Sequence, residues 1–351
     1  MTSPTSQRNG KFSVAVPCYN YGHYLPGCIE SIVTQRDIEV DVLIIDDTST
    51  DDSLEVARSL AATFPQVEVL AHDVNKRHIA TFNDGVDWAT NEYFLLISAD
   101  DMLAPGALAR ARDVFIANPD VGLVYGGVRD FHPTPPPVDD IASPSHHVWS
   151  GPAWISRCAR LGDNPTYSPE VMLRTSVQHE IGGYDPRCGH TSDMNMWLRA
   201  AAVADVAYLQ GCTQAFYRVH GDNMSRTTFS EKRLQIEHRW DAFEAFFDRP
   251  GPGRTDTDRR LAASSIATWS MWEGSKAFER GEVDSAGLDD YVELAARVDP
   301  GHRRRLAYWG LQLRRRLGPK VARVFPPFIG ARAVRFARRM WRERSLRERG
   351  A

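Results

Sequence analysis

Short β-rich runs and helical patterns alternate along the first 130 residues in units of roughly 25–30 residues, the signature of β-α-β crossovers around a mainly parallel sheet. The predicted strands are 12–17, 40–46, 67–71, 93–98 and 122–126, with helices at 25–35, 52–64, 79–90 and 105–118 between them. Thr50 or Asp51 stands where it would cap the second helix, and Pro105 falls in the first turn of the fourth, where a missing N–H costs no bond. Proline then interrupts the pattern. His132-Pro133-Thr134-Pro135-Pro136-Pro137, with Ser143-Pro144-Ser145-His146-His147 after it, suits neither a central strand nor a helix interior and reads as a loop over the sheet. Order returns with a helical pattern at 152–161, an apolar segment at 170–173, the turn Gly182-Gly183-Tyr184-Asp185-Pro186, a helix over 194–203 and a strand over 213–219. From Phe229 onward the pattern is helical, broken at Arg249-Pro250-Gly251-Pro252-Gly253. The fold class expected is α/β, a mainly parallel sheet flanked by helices and followed by a C-terminal helical region.

Two of the apolar runs end on paired carboxylates. Tyr93-Phe94-Leu95-Leu96-Ile97 leads into Ser98-Ala99-Asp100-Asp101, and Val42-Leu43-Ile44-Ile45 into Asp46-Asp47. Ligands of open α/β sheets lie beyond the carboxyl ends of the strands, so both pairs are expected to face one crevice. Two carboxylates at about 4 Å repel by about 1 kcal/mol in water and about 4 kcal/mol at an effective dielectric near 20. Mg²⁺ or Mn²⁺ together with a diphosphate would offset that repulsion.

Composition narrows the class. At 351 residues and 42% hydrophobic, the chain can fill one large core, or a core domain plus a smaller helical one. No apolar run reaches the roughly 18 residues of a membrane span, and the amino end lacks the apolar stretch of a secretory signal, so a cytoplasmic protein is expected. Its five cysteines are odd in number and without C-x-x-C spacing, which supports neither a disulfide framework nor a zinc site. The net charge of −3 hides an asymmetry: residues 301–351 carry 16 Lys and Arg against Glu343 and Glu348, leaving 26 basic and 43 acidic side chains in residues 1–300.

Five ordered motifs, Phe12-Ser13-Val14-Ala15-Val16-Pro17-Cys18-Tyr19-Asn20, Ile45-Asp46-Asp47-Thr48-Ser49-Thr50-Asp51, Ser98-Ala99-Asp100-Asp101, Gly182-Gly183-Tyr184-Asp185 and Ser192-Asp193 with Trp197-Leu198-Arg199, together resemble a family 2 glycosyltransferase. The resemblance runs from about Phe12 to Ser225 and implies the GT-A fold and an inverting, metal-dependent transfer from a nucleoside-diphosphate sugar, UDP or dTDP, to an acceptor hydroxyl. Together with the helical pattern and the charge asymmetry, it divides the chain into a polar tail at 1–11, a glycosyltransferase domain at 12–225, a helical region at 226–300 and a basic amphipathic tail at 301–351. It further implies that Pro17, Tyr19 and Asn20 shape the nucleotide pocket, with Tyr19 on the base, Asp47 accepting from the base edge, Asp46 lining the pocket, and Ser98 and Ala99 beside the ribose. Asp100 matches the metal-binding second aspartate of the D-x-D signature, Asp101 follows in support, and His220 matches a histidine that can complete the metal shell. Imidazole there mildly favours manganese. Asp193 matches the general base. An aspartate at a helix N-terminus is also a cap whose anion the helix stabilises, which lowers its basicity; base and cap can coexist.

On the sugar side, Gly182 and Gly183 permit a backbone bend that Tyr184 would line, and Ser192 stands where the family has Glu. Arg77 replaces the glycine of a family Asn-x-Gly turn; its cation would pair with diphosphate or belong to a solvated run. Trp149, Trp154 and Tyr167 fall where such enzymes receive a glycan, lipid-linked or small-molecule acceptor, core packing being the other fate of such rings. The run Val334-Arg335-Phe336-Ala337-Arg338-Arg339-Met340-Trp341-Arg342 resembles an interfacial helix at the inner face of an anionic membrane; docking on the acidic body or a dimer contact is the alternative. No nucleic-acid module accompanies the charge. Ser98 and Ser192, standing where acids are usual, leave open a second class of protein, a nucleotide-sugar binder with an eroded catalytic site.

Overall fold

The computed structural model describes residues 10–137, 144–224, 227, 231–333, 337 and 340, so the sequence reading of a helix around Phe336 and Trp341 lies outside the described residues. Along the chain run β1 (Lys11–Cys18), α1 (Leu25–Val33), β2 (Glu39–Asp46), α2 (Ser53–Thr63), β3 (Val67–Ala71), α3 (Arg77–Trp88), β4 (Tyr93–Leu96), β5 (Met102–Leu103), α4 (Ala107–Ala117) and β6 (Val121–Phe131). They continue with β7 (His146–Trp149), α5 (Gly151–Leu161), β8 (Met172–Arg174), α6 (Thr175–Ile181), α7 (Ser192–Ala201) and β9 (Asp205–Arg218). Helices α8 (Lys232–Phe247), α9 (Asp256–Arg280), α10 (Ser285–Val298), α11 (Leu306–Leu317) and α12 (Pro319–Val324) follow.

The chain divides into two compact units. The first holds residues up to 149, 166–184 and 203–219. Its strands, nine among the described residues, form one sheet in the order β3-β2-β1-β4-β8-β6-β9-β5, with β7 also on β9. β3, β2, β1 and β4 pair in parallel, and β8 is antiparallel to both β4 and β6. Because β1, β2 and β4 are covered on both faces, they are apolar at nearly every position, whereas the edge strand β3 is largely exposed. The parallel registers bring Cys18 level with Asp46, and the ladder runs past the strand ends: Asp47 N–H donates to Cys18 O at 3.0 Å and Ala99 N–H to Pro17 O at 3.3 Å. The loops after β1, β2 and β4 therefore emerge side by side.

Several expected boundaries shift. β6 runs on to Phe131 and β7 occupies 146–149, so the proline-rich stretch is flanked by strands that pair with β9. Helix α2 begins with Asp52 at the cap position, while Asp51 accepts from Ser53 N–H, and α4 begins after Gly106, leaving Pro105 ahead of the helix.

The second unit holds residues 150–165, 185–202 and those from 220 onward, so two stretches ahead of position 225 group with the helices that follow it. Its longest helix, α9, is started by Thr255, whose Oγ1 accepts from Asp258 N–H, and stopped by Gly281 at φ 75°, a conformation side chains rarely adopt. Ala267, Met271 and Phe278 of α9 form a core with Leu288, Ala295 and Leu311. All five cysteines are free and buried. Among the described residues, no helix is long and apolar enough to cross a membrane.

Candidate active site

The residues expected to face a nucleotide gather where β1 and β2 end. Tyr19 is exposed beyond β1. Asn20 adopts φ 59°, a left-handed conformation that Asn tolerates, and its side-chain oxygen accepts Thr50 N–H at 2.7 Å, clamping the loop after β1 to the loop after β2. Asp46 accepts Ser49 N–H through Oδ2 at 3.1 Å; its Oδ1 is buried and has no partner among the described residues. Asp47 is fixed more tightly. Its Oδ1 meets His72 Nδ1 at 2.8 Å and Lys76 N–H at 2.7 Å, and His72 Nε2 lies 2.8 Å from Asp84, which also holds Lys76 Nζ at 3.1 Å. His72 thus orients the carboxylate expected to read the base. Sequence reasoning missed it, because a histidine 25 residues away carries no local signal. Arg77 sits at φ 66°, the backbone conformation that a glycine would adopt freely, and its exposed guanidinium makes no bond with a described residue.

Beyond β4 both acids of Ser98-Ala99-Asp100-Asp101 are buried. Arg218, the last residue of β9, holds them: its N–H donates to Asp101 Oδ1 at 2.9 Å and its Nε to the Asp100 carbonyl at 2.8 Å. The guanidinium carbon lies 4.5 Å from the Tyr24 ring centre and 4.3 Å from that of Phe131, fixed by cation-π contacts. Burial, reinforced by the adjacent Asp100 charge, pushes the Asp101 carboxyl well above the usual range. Two adjacent buried carboxylates suit a divalent cation, since Mg²⁺ and Mn²⁺ take one or two carboxylates and complete their shells with water and substrate phosphate. His220, expected as a further ligand, belongs to the second unit, where its Nδ1 accepts Asp222 N–H at 3.3 Å. Among the described residues no group of three His, Cys, Asp or Glu side chains is arranged to hold a metal.

The bend at Gly182-Gly183-Tyr184 is built by α3. Gly182 ends α6 at φ 76°, and a Cβ on Gly183 would lie 2.5 Å from Asn83 Oδ1. Asn83 brackets Tyr184, accepting its N–H at 2.6 Å and donating to its carbonyl at 3.1 Å. Asp185, in the second unit, is ion-paired to Arg187 and Arg249, and the Arg187 hydrogen bond holds its carboxyl down to about 2. Of the three expected acceptor aromatics, Tyr167 is exposed with its ring 5.6 Å from Tyr217, Trp149 is half-buried in β7, and Trp154 is buried core.

Glu170 was not anticipated. It ends the short turn before β8, and because β8 runs against β4 this places it toward the carboxyl end of β4. It is 2% exposed; Oε1 accepts Tyr167 N–H at 2.9 Å, and Oε2 has no partner among the described residues. Burial pushes its pKa from 4.5 up to about 8. The folded state then binds a proton that the unfolded state has lost, so stability falls as pH rises from about 4.5 to about 8 and is flat above. Glu170→Gln keeps the bond to Tyr167 and removes the charge; it is expected to raise stability at pH 8 by about 1–3 kcal/mol while changing little at pH 4.5, read from urea melts at both values. Equal effects at the two pH values would show that Glu170 titrates normally.

In the second unit, Ser192 and Asp193 open α7 after the turn Pro186–Thr191. Asp193 accepts Met194 N–H at 2.7 Å and Asn164 Nδ2 at 3.1 Å. Its pKa nevertheless rises to about 6, because burial outweighs those bonds and the nearby Arg239. The expectation that the helix N-terminus lowers its basicity is thus reversed: desolvation is the larger effect.

The family described as Glycosyl transferase family 2 matches residues 13–165. The uncharacterized glycosyltransferase YibD of Escherichia coli K12 is 38% identical over 95 residues, 27% of each chain. The TarS structure from S. aureus, in complex with UDP-GlcNAc, superposes with a TM-score of 0.62 at 16% identity, covering 87% of this chain and 91% of that one. The mannosyltransferase PcManGT of Pyrobaculum calidifontis, in complex with GDP-Man and Mn²⁺, does so with a TM-score of 0.55 at 16% identity, covering 88% and 87%. At such identities the two structures establish the fold. The chain spans about a quarter of the length of the curated relatives it matches in this way, 27% of YibD and 21% of two others. The family match is confined to residues 13–165, and the parallel strands with acidic ends and the helices that flank them give the chain the GT-A fold of the matched structures.

Proposed function

We propose that the protein transfers a sugar from a UDP- or dTDP-linked donor to a hydroxyl of a glycan, lipid-linked intermediate or natural product, with inversion at the anomeric carbon. One observation carries this reading: Asp46 and Asp47 from β2 emerge beside Asp100 and Asp101 from β4, at the carboxyl end of a parallel sheet. Tyr19 offers an exposed ring to the base, Asp47 Oδ2 an acceptor to its edge, and the unpartnered Asp46 Oδ1 an acceptor to a donor hydroxyl. Arg77 supplies an unpaired cation for the diphosphate. Asp100, with Asp101 in support, would hold Mn²⁺ or Mg²⁺, which would supply Lewis-acid stabilisation to the departing diphosphate. Asp193 accepts the acceptor's hydroxyl proton as that oxygen bonds to the anomeric carbon and the carbon–phosphate-oxygen bond breaks on the opposite face. A base with a pKa of about 6 is ionised at neutral pH yet still basic enough to take the proton.

A thermal-shift panel of UDP, dTDP and GDP with and without Mn²⁺ tests the reading. A ligand at 100 times its Kd stabilises by about 2.7 kcal/mol, so the matching nucleotide is expected to raise the melting point, more so with Mn²⁺. Silence across the panel would remove the nucleotide-sugar reading. Tight binding without hydrolysis of any labelled sugar donor would instead support the eroded binder that Ser98 and Ser192 suggest.

A further inference from the structure

Helix α11 buries Leu311 in the core and turns a second apolar face outward. Its apolar residues Leu306, Trp309 and Leu313, spaced i, i+3, i+7 along one face, are 89%, 61% and 41% exposed, while Arg314 is buried. Arg314 has its own reason to be inside, donating through Nε to Glu279 at 2.7 Å and lying 3.6 Å above the Phe328 ring centre. Among the described residues none covers the apolar stripe enough to bury it, although the Tyr308 ring lies 5.5 Å from that of Trp309. Val321 and Val324 of α12 are exposed as well.

The charge around this face is of one sign. Residues 301–333 contain nine Lys and Arg and no acid. Four of those nine pair with acids elsewhere in the unit, Arg305 with Asp299, Arg314 and Arg332 with Glu279, and Arg315 with Asp289. The other five, Arg303, Arg304, Arg316, Lys320 and Arg323, form no ion pair with a described residue. Helical spacing puts Arg316 on the same face as Leu313.

We infer that the Leu306-Trp309-Leu313 face of α11 is an interfacial docking surface for an anionic lipid bilayer. An apolar stripe bordered by unpaired cations matches the headgroup boundary, where Leu and Trp enter the acyl edge while Arg and Lys meet anionic headgroups. A second copy of the chain is the poorer occupant, because it would set like charges against one another. The surface differs from the helix expected around Phe336, and it needs no residue of the catalytic machinery.

Co-sedimentation of the full chain with vesicles is the test. Partition onto phosphatidylcholine vesicles containing about 30 mol% phosphatidylglycerol is expected, with little onto pure phosphatidylcholine, and it should fall with salt. The triple variant Leu306→Ser, Trp309→Ser, Leu313→Ser is expected to lose about tenfold or more of that partition, with its circular-dichroism melt retained since all three side chains face solvent. Arg316→Glu with Lys320→Glu is expected to lose a similar factor. Equal partition onto neutral and anionic vesicles would overturn the inference, as would a triple variant that binds like the parent. So would a dimer of the parent chain that the triple variant dissolves while vesicle binding stays unchanged, since the face would then belong to a second copy.

Discussion

Asp193→Asn is expected to lower turnover by about 10²–10⁴-fold, the usual worth of a positioned general base, while leaving donor affinity nearly intact. The carboxylate is proposed to act on the acceptor proton and not on the nucleotide, so the loss should appear in kcat for transfer and spare the thermal shift given by the nucleoside diphosphate. Its pH dependence is more diagnostic. With the Asp193 carboxyl raised to about 6 by burial, kcat/KM of the parent enzyme should climb tenfold per pH unit below about 6 and level off above it, because only the ionised form takes the proton. Asparagine has no such transition, and the residual activity of the variant should lose that limb. Steady-state rates across pH 5–8 measure both quantities. Near-parental turnover, or an unchanged acid limb, would remove Asp193 from the role of base.

Asp100→Ala is expected to abolish metal-dependent activity, by about 10³-fold, on the scale of the several kcal/mol that a Lewis acid contributes at a developing phosphate charge. The mechanism of loss differs from that at Asp193. Without the Asp100 carboxylate the pair retains only Asp101, a single buried carboxylate whose burial disfavours its charged form. Binding should therefore suffer along with rate. The Mn²⁺-dependent part of the nucleotide thermal shift should vanish, whereas the metal-independent part, attributed to Tyr19 and Asp47, should persist. Titration of activity and melting point with Mn²⁺ at fixed UDP reads both. A variant that kept its Mn²⁺ response would move the cation elsewhere.

Much of the first unit was legible in the chain because two-sided burial leaves a local trace. β1, β2 and β4 are continuous apolar runs, and their ends are marked by Pro17, Asp46-Asp47 and Ser98-Ala99-Asp100-Asp101, so strands and candidate ligand residues could be read together. The three-residue strand β8 left almost no trace, although it sits centrally between β4 and β6: Met172-Leu173-Arg174 is too short for periodicity to speak. The first half of β9 and all of β7 were missed for a related reason, since their pairing partners lie far along the chain. Arg218 lies inside the strand expected over 213–219 with nothing to single it out; its hold on Asp101, 117 residues distant, is a through-space fact.

The sequence by itself determined the fold class, the order of the parallel strands' acidic ends and the family match of residues 13–165, because apolar runs and motif spacing depend on neighbours along the chain. Tertiary structure alone decided how those acids behave. Asp47 is oriented by His72, Asp101 and Glu170 are driven toward their protonated forms by burial, and the Asp193 carboxyl is raised to about 6 despite its helix N-terminus. The exposure of Leu306, Trp309 and Leu313 with Arg314 turned inward belongs to the same class of fact. Desolvation and charge pairing depend on what surrounds a group in space, and a linear pattern of apolar and polar residues does not encode that directly.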